Sequence, residues 1–231
     1  MTTKKLLCIL LFAVITVQIS QAIPVTNDQL KSRDLCLQKT KYQDMEASEN
    51  DKLLTASNQL LKFTLRSFQQ LSLAYAEKAK NISENLLKDS KISSSTSPKI
   101  LQFKHNLTQF QEKYSLCADI DELFDLVELY SNTTSFYYEL EEATLDVDSK
   151  LILSLLRKYG SEDLDNEFEK FFNVFVENFD KKFEDLKGNL KEKEGEVGQK
   201  LLGWYDQFKT LKDYDDKIAA FEKYFLFFEQ E

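Results

Sequence analysis

Residues 168–186 read FEKFFNVFVENFDKKFEDL, with aromatic positions Phe168, Phe171, Phe172, Phe175, Phe179 and Phe183, spaced by 3, 1, 3, 4 and 4 residues. A helix advances about 100° per residue, so these six rings share one face, while Glu169, Lys170, Glu177, Asp180, Lys181 and Asp185 lie mainly elsewhere. A strand repeats every second residue and cannot produce that spacing. So wide an aromatic stripe is not stable in water and has to be buried. The rest of the chain is therefore read as a supply of partner surfaces.

Composition agrees with that reading. The chain has 231 residues, 42% of them hydrophobic and 30% charged, enough for one sizeable core. Only five Gly and two Pro occur, and all five Gly (160, 188, 195, 198, 203) lie in the last third. Few breakers and many Leu, Phe, Glu and Lys favour long helices over a turn-rich β fold. The expected fold is all-α, an antiparallel bundle of about five to six amphipathic helices. Its C-terminal part, residues 160–231, holds eleven of the eighteen Phe and the single Trp, and is expected to form an aromatic-rich helical hairpin.

The chain begins with Lys4 and Lys5, continues through the apolar run 6–17, and reaches Ser20 and Ala22 at cleavage-type spacing. This is the pattern of a secretory signal peptide over residues 1–22, too short in its apolar run for a comfortable membrane span. Residues 23–231 are then one secreted, extracellular domain, with 23–159 and 160–231 as candidate subdomains and no integral membrane segment. Removing residues 1–22 leaves 28 basic and 39 acidic residues, a net charge of −11. Such a chain repels nucleic acid, so no nucleic-acid partner is expected. Cys8 leaves with the leader, and Cys36 and Cys117 are expected to form one disulfide in the oxidising compartment, worth roughly 4 kcal/mol by loop entropy.

Along the mature chain, Asn27 or Asp28 can cap a weak helix over 28–47 with Leu30, Cys36, Leu37 and Met45 as its apolar positions. Leu54, Leu61, Phe68 and Tyr75 recur every seven residues, as in a coiled-coil seam, and predict a long helix over about 51–88. The Ser/Thr-rich stretch 91–98 reads as an exposed loop. Ile100, Phe103, Leu107, Phe110, Tyr114 and Cys117 form the next stripe, continuing through Ile120, Phe124 and Val127 with a bend near Ala118-Asp119. Residues 131–134 signal a turn. Tyr137, Leu140, Thr144, Val147, Leu151 and Leu155 predict one helix to Tyr159, capped by Gly160. Residues 188–198 read as a charged, Gly-rich loop, with a frayed helix as the alternative. A last helix carries Leu201, Trp204, Phe208, Leu211, Ile218, Phe221, Phe225 and Phe228.

The sequons at Asn81, Asn106 and Asn132 are candidate N-glycosylation sites in a secreted chain. The carboxylate groups Asp119, Asp121, Glu122 and Asp125; Glu139, Glu141 and Glu142; and Asp213, Asp215 and Asp216 sit on polar helix faces. They read as solvated charge rather than a catalytic pair or a calcium loop. His105, the one histidine, points away from its stripe. With no phosphate loop, nucleophile motif or Cys/His cluster, no catalytic residue, metal site or cofactor is expected, and the protein is read as non-enzymatic.

The aromatic stripes carry the functional reading. Phe168, Phe171, Phe172, Phe175, Phe179 and Phe183, with Trp204, Phe208, Phe221 and Phe225, are expected to line a core or enclose an apolar ligand. Paired aromatics such as Phe171/Phe172 and Phe227/Phe228 widen the apolar arc beyond a narrow seam. A carrier of lipid or another apolar small molecule is the first functional expectation, and a module that docks a protein partner or a copy of itself is the alternative. In broad design the chain resembles the exchangeable insect apolipoproteins, secreted bundles of five amphipathic helices. That likeness is one of architecture, shared through no motif, and a disulfide is not part of their pattern.

Overall fold

The computed structural model describes residues 54–228 except 118 and 140. The expected leader, the helix over 28–47 and Cys36 lie outside the described residues. Those described contain no strand. Their helices are α1 (Ala56–Lys88), α2 (Ser90–Ser93), α3 (Pro98–Leu116), α4 (Ile120–Thr134), α5 (Phe136–Glu139), α6 (Val147–Lys158), α7 (Ser161–Lys193), α8 (Gly195–Phe208) and α9 (Tyr214–Leu226), with a 3-10 turn at Glu142–Thr144. No described helix is long and apolar enough to cross a membrane.

The helix boundaries are set largely by aspartates. The Asp89 carboxylate accepts from Lys91 N at 3.0 Å and opens α2, so the expected loop over 91–98 begins with a helical turn that buries Ile92. Asp119 accepts from Glu122 N at 2.9 Å and starts α4, which fixes the bend after Cys117. Asp146 accepts from Ser149 N at 3.0 Å, and Asp213 from Asp215 N at 2.9 Å. A side-chain acceptor at these positions satisfies an amide that the helix itself leaves unpaired.

These caps correct two expectations. The single helix over 137–159 is broken, with α5 ending at Glu139 and α6 beginning after Asp146. The last helix is likewise two, parted by residues 209–213, so the C-terminal region contains three helices. Two expected turns are helical instead. Residues 131–134 complete α4, because Thr133 and Thr134 donate back to Leu129 O at 2.7 Å and Tyr130 O at 3.0 Å rather than competing with the helix. Residues 188–193 continue α7, because buried Leu186 and Leu190 extend the stripe of Phe183 past Gly188. The chain turns only at Glu194 and Gly195, where Gly195 takes φ +49°. Gly160 does close α6 as expected, at φ +86°, and the same residue begins α7.

α1 and α7 each run 33 residues, about 50 Å. Rising positions on α1 meet falling positions on α7: Phe63 with Phe175, Phe68 with Phe172, Tyr75 with Phe168, and Lys78 with Glu167, while Ser57 meets Glu194 just past the end of α7. Two apolar cores lie along this pair. One joins the first half of α1, from Ala56 to Leu71, to α7 beyond Phe172 and to α8 and α9. The other joins the second half of α1 to α3, α4, α6 and Leu164 at the start of α7. Phe168 packs on both.

The second core is ringed by polar ties between helices. Tyr75 donates to Asp165 at 3.2 Å, Tyr130 to Ser161 at 3.1 Å, and Lys99 pairs with Asp146. Lys158 and Tyr159 both reach the Asp89 carboxylate, at 2.9 and 2.8 Å. With the Lys91 amide, they hold that carboxyl down to about 2, the Lys158 ammonium being the largest influence.

Candidate apolar site

The first core is where the predicted aromatic residues meet. Phe172, Phe175, Phe179 and Phe183 are buried on α7, whereas Phe168 and Phe171 are half-buried at its margin. Trp204 and Phe208 project from α8 and Phe221 and Phe225 from α9, all buried. Each fully buried Phe removes enough apolar surface from water to contribute roughly 1.5–3 kcal/mol. Phe175 touches the C-terminal helices as expected, its ring 5.2 Å from that of Phe221.

Phe221 is the centre of the arrangement. Around it stand the rings of Phe68, Phe172, Phe175, Phe179, Trp204 and Phe208, at centroid distances of 5.2–6.2 Å. Most of these pairs are tilted or edge-on, the arrangement that aromatic quadrupoles favour. The socket thus draws on α1, α7 and α8 while its plug comes from α9. At one end, Phe183 and Tyr205 stack at 3.8 Å with planes 14° apart.

Three members of this site are absent from the set expected from sequence. Phe68 belongs to the seven-residue recurrence of α1, but nothing local in the sequence joins α1 to α7. Tyr205 and Tyr224 adjoin Trp204 and Phe225, so the same helical spacing could have found them. Their hydroxyls are provided for: Tyr224 receives a hydrogen bond from Thr64 at 3.3 Å, and Tyr205 donates to Asp180 O at 3.5 Å. Burial pushes both phenols well above their ordinary range, so both stay neutral. Trp204 donates its indole N–H to Ala220 O at 2.9 Å, tying α8 to α9. Asp180 lies at the rim, half-buried, with one carboxylate oxygen enclosed and unpartnered. That burial raises its pKa.

The other predicted positions lie away from this core. Asn81 is exposed on α1. Asn106 is half-buried on α3, its Oδ1 accepting from Gln102 at 2.9 Å. Asn132 is exposed in the last turn of α4, not in a loop, and donates to Glu128 at 3.3 Å. His105 is exposed on α3. Cys117 is buried at the end of α3. No disulfide pair is seen among the described residues, and Cys36, its expected partner, lies outside them. Among the described residues no three His, Cys, Asp or Glu side chains gather as a metal site. No protein-family model, curated protein or solved structure significantly matches the chain.

Proposed function

We propose that this is a secreted, N-glycosylated, non-enzymatic antiparallel helix bundle that carries lipid or another apolar small molecule within its aromatic core. The observation that carries the proposal is the continuous ring-lined region joining α1, α7, α8 and α9, centred on Phe221. Burial of apolar surface is non-directional, so the methylenes of a ligand can take the place of a protein ring, at the loss of its oriented ring contacts, about 0.5–1.5 kcal/mol per pair. A disulfide between Cys36 and Cys117 belongs to the same proposal. It would tie the segment before α1 to the end of α3, in the second core, and leave the aromatic end unstapled. Glycans at Asn81, Asn106 and Asn132 would fall on α1, α3 and α4, away from α8 and α9.

Carriage is tested on protein purified from its natural fluid or a secreting host. Solvent extraction followed by mass spectrometry should recover lipid, and the stripped protein should displace a fluorescent fatty acid from solution. A protein that yields no lipid and takes up no fatty acid, sterol or phospholipid is not a carrier. Chemical crosslinking of that protein to a partner or a second copy would then favour the docking alternative.

A further inference from the structure

We infer that α9 is a displaceable plug, and that the trough it fills between α1, α7 and α8 takes extended fatty acyl chains. This rests on the carrier proposal and names the element that moves and the shape of the ligand.

The junction of α7 and α8 is not built to open. Gly198 packs so closely on the preceding helix that a Cβ there would stand 2.2 Å from Leu190 O. Glu194, the residue between the two helices, holds the amide of Ser57 with both carboxylate oxygens at 3.1 Å, pinning the turn to the first turn of α1. The corner where α7 meets α8 is therefore fixed. α9 is attached differently. It follows the connector 209–213. It is held by the Phe221 plug, by Phe225 against Phe68 at 6.0 Å, and by hydrogen bonds from Thr64 to Tyr224 and from Trp204 to Ala220.

The shape follows from what α9 vacates. A helix of 13 residues is about 20 Å long and about 10 Å wide. Its departure leaves an elongated groove floored by Phe68, Phe172, Phe175, Phe179, Trp204 and Phe208, wide enough for extended chains to lie side by side. Linear acyl chains fit such a groove, lying along α7.

The sole Trp reports on the trough, because Trp204 lies in its floor and bonds to α9. The test titrates the stripped full-length protein with dibromostearic acid, whose bromines quench a nearby indole, and follows amide exchange by mass spectrometry with stearic acid bound. The expected result is quenching of Trp204 together with faster exchange over 214–226, while 190–198 keeps its protection. Phe221→Leu, a smaller plug, should raise the apparent affinity for stearic acid about tenfold by raising the open fraction. Uptake with quenching but no change in α9 exchange overturns the plug and leaves carriage standing. So does uptake in which 190–208 and 214–226 loosen together, or an unchanged affinity in Phe221→Leu. Quenching absent while stearic acid binds places the ligand elsewhere and also overturns it. No uptake at all removes carriage, and the plug with it.

Discussion

Asp89 and Asp180 show how one residue type acquires opposite pH dependences from its surroundings. Asp89 has its carboxyl drawn down to about 2 by Lys158, the Lys91 amide and Tyr159. Its contribution is complete above the unfolded carboxyl pKa of about 4 and is lost as pH falls from there toward about 2. Asp89→Ala also removes the cap of α2, and should lower stability at pH 7 by about 1–2 kcal/mol, with a smaller difference from wild type at pH 2–3 by urea denaturation. Asp180 is shifted the other way by burial, so its ionisation opposes the fold as pH rises above about 4. Asp180→Asn should therefore raise the urea midpoint at pH 7 and leave it unchanged near pH 3; a gain equal at both pH values would locate the effect outside this titration. Phe175 has no polar atom to complicate it. Phe175→Ala should cost about 3–5 kcal/mol, and a loss below about 1 kcal/mol would mean that its ring is not core.

At the scale of elements, periodicity read well and punctuation read poorly. The stripes of α1, α3 and α7 were legible because one helix face repeats over many residues, so that a few exceptions do not obscure it. The breaks at 141–146 and 209–213 each turn on a single aspartate, Asp146 or Asp213, which in sequence looks like any solvated charge. An aspartate caps only where the preceding backbone can leave the helix, and that depends on packing as well as on local sequence. The glycines misled in the opposite direction: Gly188 and Gly198 serve helices, and only Gly195 turns the chain at that corner. In the aromatic site the α7, α8 and α9 members were legible, and Phe68 was not, because its partnership with Phe172 and Phe225 is a matter of tertiary pairing. The corner itself can be tested. Gly198→Ala should lower stability by about 1–3 kcal/mol, since the added methyl meets backbone rather than a yielding side chain. An unchanged midpoint would show that α7 and α8 are not locked there.

At the scale of the whole molecule, α1 and α7 run through both cores, so neither core can be dismantled without unpairing helices that serve the other. Trp204 fluorescence, which senses the aromatic core, and far-ultraviolet dichroism, which senses every helix, should therefore give coincident urea transitions. Separated midpoints would mean that the two cores melt independently. The same pairing sets the order in which the chain can be completed as it is made. Most of the second core, from Tyr75 to Leu164, lies within one stretch of chain and can close early. From that stretch the core around the Leu60 to Leu71 face of α1 gains only Phe124, with Ile120 beside it. Phe68 waits for Phe172, and then for Phe225, which follows it by 157 residues. At synthesis rates of about 5–20 residues per second, that face stays uncovered for roughly 10–30 s, long enough to need a chaperone's shelter. Premature termination ahead of α9 would leave it uncovered for good, so chains cut short there should be degraded in the cell.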